Sequence, residues 1–341
     1  MSDLRFIELP GGFGDLLVAL PAIHALARSS PGCRLTALTV EPAAELLRFD
    51  PWVAETIGVP ISKREGDHSA RDAVERLLAT RSLDLVVSDT NYEGIEDMVR
   101  SCSARQKVWN LWRQPPADQL VGDRFLSILA EEGLIEPSFL GQAPRVTLGQ
   151  EDRAWAQRWR GGVDGGEGKV VFLNPNAGMP IKRWPISRFI DLGRMLLGRG
   201  DVRLVVLDAG EGGEPARLVA ALGGATLLPR LRLCRLAAAF TQGALLISPD
   251  TGPARLAEAV GTPAIVLFGP TWKGRYGLHP PSLNVDAGVE CPVRRPENFT
   301  LQSCWYSGQC VFSHRLNCVE DIRPRTVLEA ANRLLGPPGA G

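Results

Sequence analysis

The chain has 341 residues, 45% of them hydrophobic and 22% charged, with a formal net charge of zero. That length suggests two domains with ample core, and the balanced charge excludes the basic stripe with which nucleic-acid binders neutralise phosphates. The opening MSDLRFIELP does not read as a secretory signal, and apolar runs such as LLVALPAI and ALLIS fall far short of the ~20 residues of a membrane span, so a soluble, cytoplasmic protein is expected.

Short apolar runs alternate with longer helical patterns along the chain. LRFIELP leads into GDLLVALPAIHALARSS, RLTALTV into EPAAELLRF, and LDLVVSD into YEGIEDMVRSC. The second half repeats the rhythm with KVVFLNP, ISRFIDLGRMLLGRG, VRLVVLD, EPARLVAALGG, LCRLAAAFTQG, ALLISPD, GPARLAEAVG and PAIVLFGP. Near-continuous apolar strands alternating with helices predict parallel sheets covered on both faces, an α/β fold. Between the halves, RWRGGVDGGEGK (158–169) carries five glycines without apolar periodicity and reads as a linker. The expected boundaries are therefore 1–160 and 161–322, with a closing helix and tail over 323–341 from RPRTVLEAANRLLG. Residues 288–318, rich in Pro, Arg and aromatic side chains, are expected to form a long excursion of irregular structure.

Of seven cysteines, Cys291, Cys304, Cys310 and Cys318 crowd into this excursion. Their spacing lacks a tight CxxC pair and matches no common zinc finger, so free thiols are the ordinary reading; a metal-stapled or redox-sensitive loop is the sharper one.

In open α/β sheets ligands bind at the carboxyl ends of the strands, so the turns after strands are where chemistry is sought. After the first run, PGGFGD places Gly12 and Gly14 where backbone can approach a ligand, ahead of a helix head near Asp15. Asp15 could serve a ligand or simply cap that helix. Lys182, one of five lysines in an Arg-dominated chain, follows the turn NPNAG and could reach anionic oxygens, or remain a solvated loop residue. Glu211, in AGEGGEP, could accept hydrogen bonds from sugar hydroxyls or merely face water. In SPDTGPARLAEA, Thr251 and Gly252 offer a hydroxyl and backbone N–H at a helix head, a favourable place for a phosphate. Asp250 would hold the turn or bond a ligand hydroxyl, and the Arg255 fork could clasp a diphosphate. A second turn, LFGPT, adds Gly269 and Thr271. Two adjacent phosphate-ready turns suggest a nucleotide diphosphate ligand.

Taken together, GD leading into LLVALPAI, NPNAG with IKRWP, PDTGPARLAEA, LFGPT and the closing CVEDIRPRTVLEAANRLL resemble the heptosyltransferases of glycosyltransferase family 9, in order and over almost the whole chain. The resemblance implies a GT-B fold, two doubly wound Rossmann-like domains facing a central cleft, with the acceptor on the N-terminal domain and the nucleotide sugar on the C-terminal one. It implies inverting transfer of heptose from ADP-heptose to a lipopolysaccharide core, with Asp15 as general base and Lys182 as phosphate-binding lysine. Asp250, Thr251 and Gly252 match the donor turn, and Glu211 an acidic donor-site residue. Two positions depart from the family pattern: Arg255 stands where His is usual, and Asn176 where Gly is common.

The sequence contains no Asp-x-Asp motif. A metal-independent reaction is therefore expected, with Lys182, Arg255 and backbone N–H groups meeting the charge on the leaving diphosphate. No cofactor is expected beyond the ADP-sugar substrate. The expected partners are that donor and a glycolipid or small-molecule acceptor, with no nucleic acid and at most peripheral contact with the inner membrane. A soluble natural-product acceptor, or a non-catalytic nucleotide-sugar binder on the same fold, are the competing readings.

Overall fold

Strand positions follow from where apolar runs are long enough to be buried on both faces. The computed structural model describes residues 2–60, 68–79, 83–113, 115–163, 167–208, 213–313, 315 and 317–337. Its contacts divide the chain into two compact units, Met1–Leu148 and Gly149–Gly341.

The first unit contains β1 (Asp3–Glu8), α1 (Phe13–Ser29), β2 (Arg34–Val40), β3 (Glu55–Val59), α2 (Ser69–Leu78), β4 (Leu85–Ser88), α3 (Ile95–Ser101), β5 (Gln106–Val108) and α4 (Val121–Glu131). Among the described residues the strands form one sheet in the order β3-β2-β1-β4-β5. Every pair is parallel, with Ile7 in register with Leu38 on one side and Ser88 on the other. Chain order reverses between β1 and β4, which makes their carboxyl ends the switch point of this sheet. Helix α1 is rich in Ala and Leu, good helix formers. It buries Leu16, Leu17, Leu20 and Ile23 and contains Pro21, so packing rather than uninterrupted hydrogen bonding holds it. Gly122 of α4 is part of that packing, because a Cβ there would come within 3.1 Å of the Val18 carbonyl oxygen.

The second unit begins with α5 (Gln150–Gly162), followed by β6 (Lys169–Leu173), α6 (Ile186–Leu197), β7 (Val202–Leu207), α7 (Glu214–Leu222), β8 (Ala225–Leu228), α8 (Leu233–Phe240), β9 (Leu245–Pro249), α9 (Gly252–Ala259), β10 (Ala264–Phe268), α10 (Lys273–Tyr276), β11 (Leu283–Asp286), α11 (Ser303–Ser307), α12 (Asn317–Glu320) and α13 (Pro324–Leu335). The sheet order is β11-β10-β9-β6-β7-β8, again all parallel among the described residues. Renumbered from β6, this is the doubly wound order 3-2-1-4-5-6 with its switch point between β6 and β9. Val171, Leu173, Leu204, Val206, Ile247 and Ile265 form the sheet's share of the core, closed by Phe189, Leu192, Val327 and Ala331 from the helices.

Residues 158–162 of the expected linker continue helix α5, which is joined to the second unit by Arg232 and Arg235 of that unit facing Asp152. The closing helix forms as expected, α13, and packs into the second unit's core through Val327, Ala331 and Leu335. No helix among the described residues is long and apolar enough to cross a membrane.

Candidate functional site

At the second unit's switch point, three turns bring charged side chains together. Asn174, just past β6, is buried; its amide donates to Ser248 Oγ (2.9 Å) and to Thr251 Oγ1 (3.3 Å), tying the ends of β6 and β9 together. Asn176 donates to the Leu207 carbonyl (3.2 Å) and adds the end of β7, a bond that glycine at this position could not make. Thr251 is the N-cap of α9, yet its hydroxyl bonds Ser248 and Asn174 and makes no capping bond to the helix. The α9 head is thus left with its N–H dipoles uncapped by a side chain, beginning at Gly252, a setting that favours an anion.

Around this head stand Lys182, Asp250 and Arg255. Lys182 closes the 3-10 turn Pro180–Lys182 and places its Nζ 2.9 Å from Asp250 Oδ2. Arg255, one turn into α9, donates to the Tyr276 carbonyl (2.9 Å) and stands 3.9 Å from Asp250 Oδ1. Burial alone would raise the Asp250 pKa, but the Lys182 ammonium, the Arg255 guanidinium and the hydrogen bond from Lys182 hold it below the usual carboxylate range. Asp250 is therefore an anion between two cations. The cluster is compact, mostly buried and cationic overall, and an incoming diphosphate could exchange with Asp250 for their donors.

Of the other expected residues, Thr271 is buried beside this cluster. Gly269 has a packing reason of its own, because a Cβ there would lie 2.9 Å from the Cβ of Val319 in α12. Glu211 lies outside the described residues. The Trp184 of IKRWP belongs to the core, with its indole N–H on the Ile322 carbonyl at 3.0 Å.

The first unit's switch point has the opposite character. The Gly12 N–H donates to Asp15 Oδ2 (3.0 Å), so Asp15 at the third position of α1 does cap its helix. Capping leaves a carboxylate capacity for further bonds, since it offers about four acceptor sites. Gly12 has extended backbone, and a Cβ on Gly11 or Gly12 would meet only Asp15 Oδ2 at an ordinary 3.8 Å. Among the described residues, then, no close contact demands glycine at these positions.

Beside this turn lie two buried carboxyl groups that sequence reasoning missed, Glu8 at the end of β1 and Asp89 just past β4. Thr39 donates to Glu8 Oε2, and Thr90 donates to Asp89 Oδ1 at 3.0 Å. Glu8 Oε1 and Asp89 Oδ2 are buried with no hydrogen-bond partner among the described residues. Burial raises both pKa values well above the carboxylate range; repulsion from Asp89 and Asp15 raises Glu8 further, and repulsion from Asp15 does the same for Asp89. Burial and the carboxylates of Glu93, Glu8 and Asp89 push up the nearby Tyr92 phenol, which donates to the Leu9 carbonyl at 2.6 Å. Glu8 ends a strand and Asp89 opens a turn, both unremarkable places in the sequence; only the pairing of β1 with β4 makes them neighbours.

The four late cysteines are free thiols. Burial pushes the Cys318 thiol up to about 12 against the opposing pull of Arg294, and Cys304, Cys291 and Cys310 add to the rise. Among the described residues no group of three or more His, Cys, Asp or Glu side chains is arranged to hold a metal ion.

Known proteins match this architecture. The family model for glycosyltransferase family 9 (heptosyltransferase) matches residues 104–291, over half of the chain. Lipopolysaccharide heptosyltransferase 1 of Pseudomonas aeruginosa is 26% identical over 294 residues, covering 78% of each chain. Among solved structures, a family 9 glycosyl transferase from Veillonella parvula superposes with a TM-score of 0.78 at 19% identity, over 98% of this chain and 97% of its own. The E. coli ADP-heptose lipopolysaccharide heptosyltransferase II does so with a TM-score of 0.69 at 16% identity, over 98% of both chains. The shared fold is GT-B, two doubly wound domains in one chain.

Proposed function

The chain belongs to glycosyltransferase family 9, and from that premise we propose that it moves heptose from an ADP-sugar to an acceptor hydroxyl, with inversion and without a metal ion. The observation that carries this is the Lys182–Asp250–Arg255 cluster at the uncapped head of α9, on the switch point of the second domain. Its two cations and exposed helix dipole suit a diphosphate, and the E. coli relative is named for ADP-heptose.

In the reaction the acceptor oxygen attacks the anomeric carbon while the bond from that carbon to the diphosphate oxygen breaks. The hydroxyl proton passes to Asp15, and ADP leaves with its charge met by Lys182, Arg255 and the α9 amides. Asp250 bonds a hydroxyl of the donor once the diphosphate has drawn Lys182 away from it. Thr251 and Gly252 form the donor turn with Thr271 and Gly269 beside it, Glu211 takes a donor hydroxyl, and Gly12 and Gly14 let the acceptor approach Asp15. Acceptor binding is assigned to the first unit and donor binding to the second.

The acceptor is the lipopolysaccharide inner core, the substrate class in the name of the Pseudomonas relative. Such an acceptor is presented at a membrane surface, so the encounter is peripheral, on the cytoplasmic side of the inner membrane. Transfer from ADP-heptose to an inner-core fragment, followed by NMR assignment of the product anomer and repeated with chelator present, tests this directly. Inverted product formed at an undiminished rate in chelator is expected. Transfer only to small soluble aglycones would reassign the acceptor, ADP release with free heptose and no glycoside would leave a hydrolase, and donor binding with no ADP release a binder.

A further inference from the structure

Residues 287–323 join β11 to α13 and contain, among those described, only short helical turns. This excursion is fastened to the donor end of the second sheet. The buried Gln302 donates to the Pro270 carbonyl (3.2 Å) and accepts from the Arg295 N–H (2.7 Å). Arg294 donates to the Gly269 carbonyl (3.4 Å) with its guanidinium 5.5 Å from the Trp272 ring. While Leu301, Tyr306 and Phe312 remain exposed, Phe299 turns inward and is buried. Its ring centroid lies 4.6 Å from Lys182 Nζ. It also meets Tyr276 edge-to-face at 5.5 Å and Trp305 at 4.4 Å. Tyr276 in turn supplies the carbonyl that accepts from Arg255.

Resting on the donor-site assignment above, we propose that Phe299 is a positioning residue for the Lys182 ammonium, through which the excursion sets affinity for the donor's nucleoside diphosphate. A lysine ammonium is a point charge on a flexible four-carbon stem, and something must hold it in place if it is to meet a phosphate. Asp250 does so at 2.9 Å, but its negative charge opposes the incoming diphosphate. The face of an aromatic ring attracts the ammonium through its quadrupole and carries no net charge to repel the ligand. Phe299 thus keeps Lys182 over the α9 head when the diphosphate displaces Asp250, and Tyr276 behind it braces the carbonyl that holds Arg255.

The test replaces Phe299 in the full-length protein with 4-fluoro-, 3,5-difluoro- and 3,4,5-trifluorophenylalanine, which weaken the π-face stepwise while keeping nearly the same shape. Calorimetry measures ADP affinity and thermal unfolding reports the packing. ADP affinity should fall with each fluorination, reaching roughly 3- to 10-fold at the last step, while the melting temperature stays level. Phe299→Leu should lose roughly 2- to 30-fold and Phe299→Trp should retain binding. ADP affinity that is flat across the fluorinated series, or that changes only in step with melting temperature, overturns the positioning role and leaves the donor site standing. A wild-type protein that binds no ADP overturns the donor site and this role together.

Discussion

The two sheets share the same winding and place their switch points alike, yet the charges gathered there differ. In the first domain Glu8, Asp15 and Asp89 gather three carboxyl groups, and burial together with their mutual repulsion drives Glu8 and Asp89 toward the protonated form. In the second domain Asp250 is flanked by Lys182 and Arg255 and driven the other way. One topology therefore supplies the geometric niche, while the residues placed at the strand ends decide which charges gather in it. The displacement reaction proposed above would use that division, with a proton acceptor for one reactant and anion stabilisation for the other.

The largest expected effect breaks the proton-accepting side. Asp15→Asn should lower the transfer rate by roughly 10²- to 10⁴-fold, the usual contribution of a general base, with ADP affinity unchanged. Full activity in this variant would remove the base from Asp15. On the anion side, Lys182→Met removes a donor from the leaving group and should cost about 10²- to 10³-fold in turnover. It should also lower stability by up to about 3 kcal/mol, because Asp250 loses the closer of its two cations in a mostly buried site. Unfolding in denaturant, run beside ADP titrations, separates these two losses.

The pH dependence of stability sharpens the contrast, since the domains respond in opposite senses. Glu8 and Asp89 have raised pKa values in the folded state. Their contribution is complete below the unfolded carboxylate pKa and is lost as pH rises through the folded values, by at most about 1.4 kcal/mol per pH unit for each proton retained. Asp250 is lowered, so its contribution is present above the unfolded pKa and is lost as pH falls through the folded value. Glu8→Gln should flatten the loss of melting temperature as pH rises above the unfolded carboxylate pKa, and Asp250→Asn the loss as pH falls. Identical pH profiles for wild type and Glu8→Gln would show that this carboxyl ionises normally. The smallest effect is expected from Asn176→Gly, which removes the 3.2 Å bond to Leu207. A loss of about 1 kcal/mol with activity retained is expected, from one hydrogen bond of ordinary net worth.

Much of the fold was legible because central strands leave a plain signature. β4, β6, β7, β9 and β10 are nearly continuous apolar runs, and β1 and β2, though each holds three polar residues, are like them buried along most of their length. The edge strands β3, β5, β8 and β11 carried no such signal, since each is only partly buried and mixes polar residues into a run of five or fewer. The linker reading of residues 158–162 failed for a related reason. Gly161 and Gly162 are poor helix formers, yet they close the last turn of α5, where helical propensity weighs least.

The site divides along the same line. Lys182, Asp250 and Arg255 could be named as candidates in advance because each belongs to a turn or helix head that follows a strand, and motifs of that kind are local. What each does to the others could not be read there. Phe299 is 117 residues from Lys182 and sits in a stretch without periodicity, and Glu8 and Asp89 are separated by 81 residues. The sequence by itself determined the parallel α/β class, the inner strands and the turns that bear charge, because these depend on hydrophobic period and nearest neighbours. Only the tertiary structure decided which charges meet, which lose water and which aromatic ring lies over the lysine. Burial and electrostatic coupling are properties of distance in space, and the chain order of residues does not contain them.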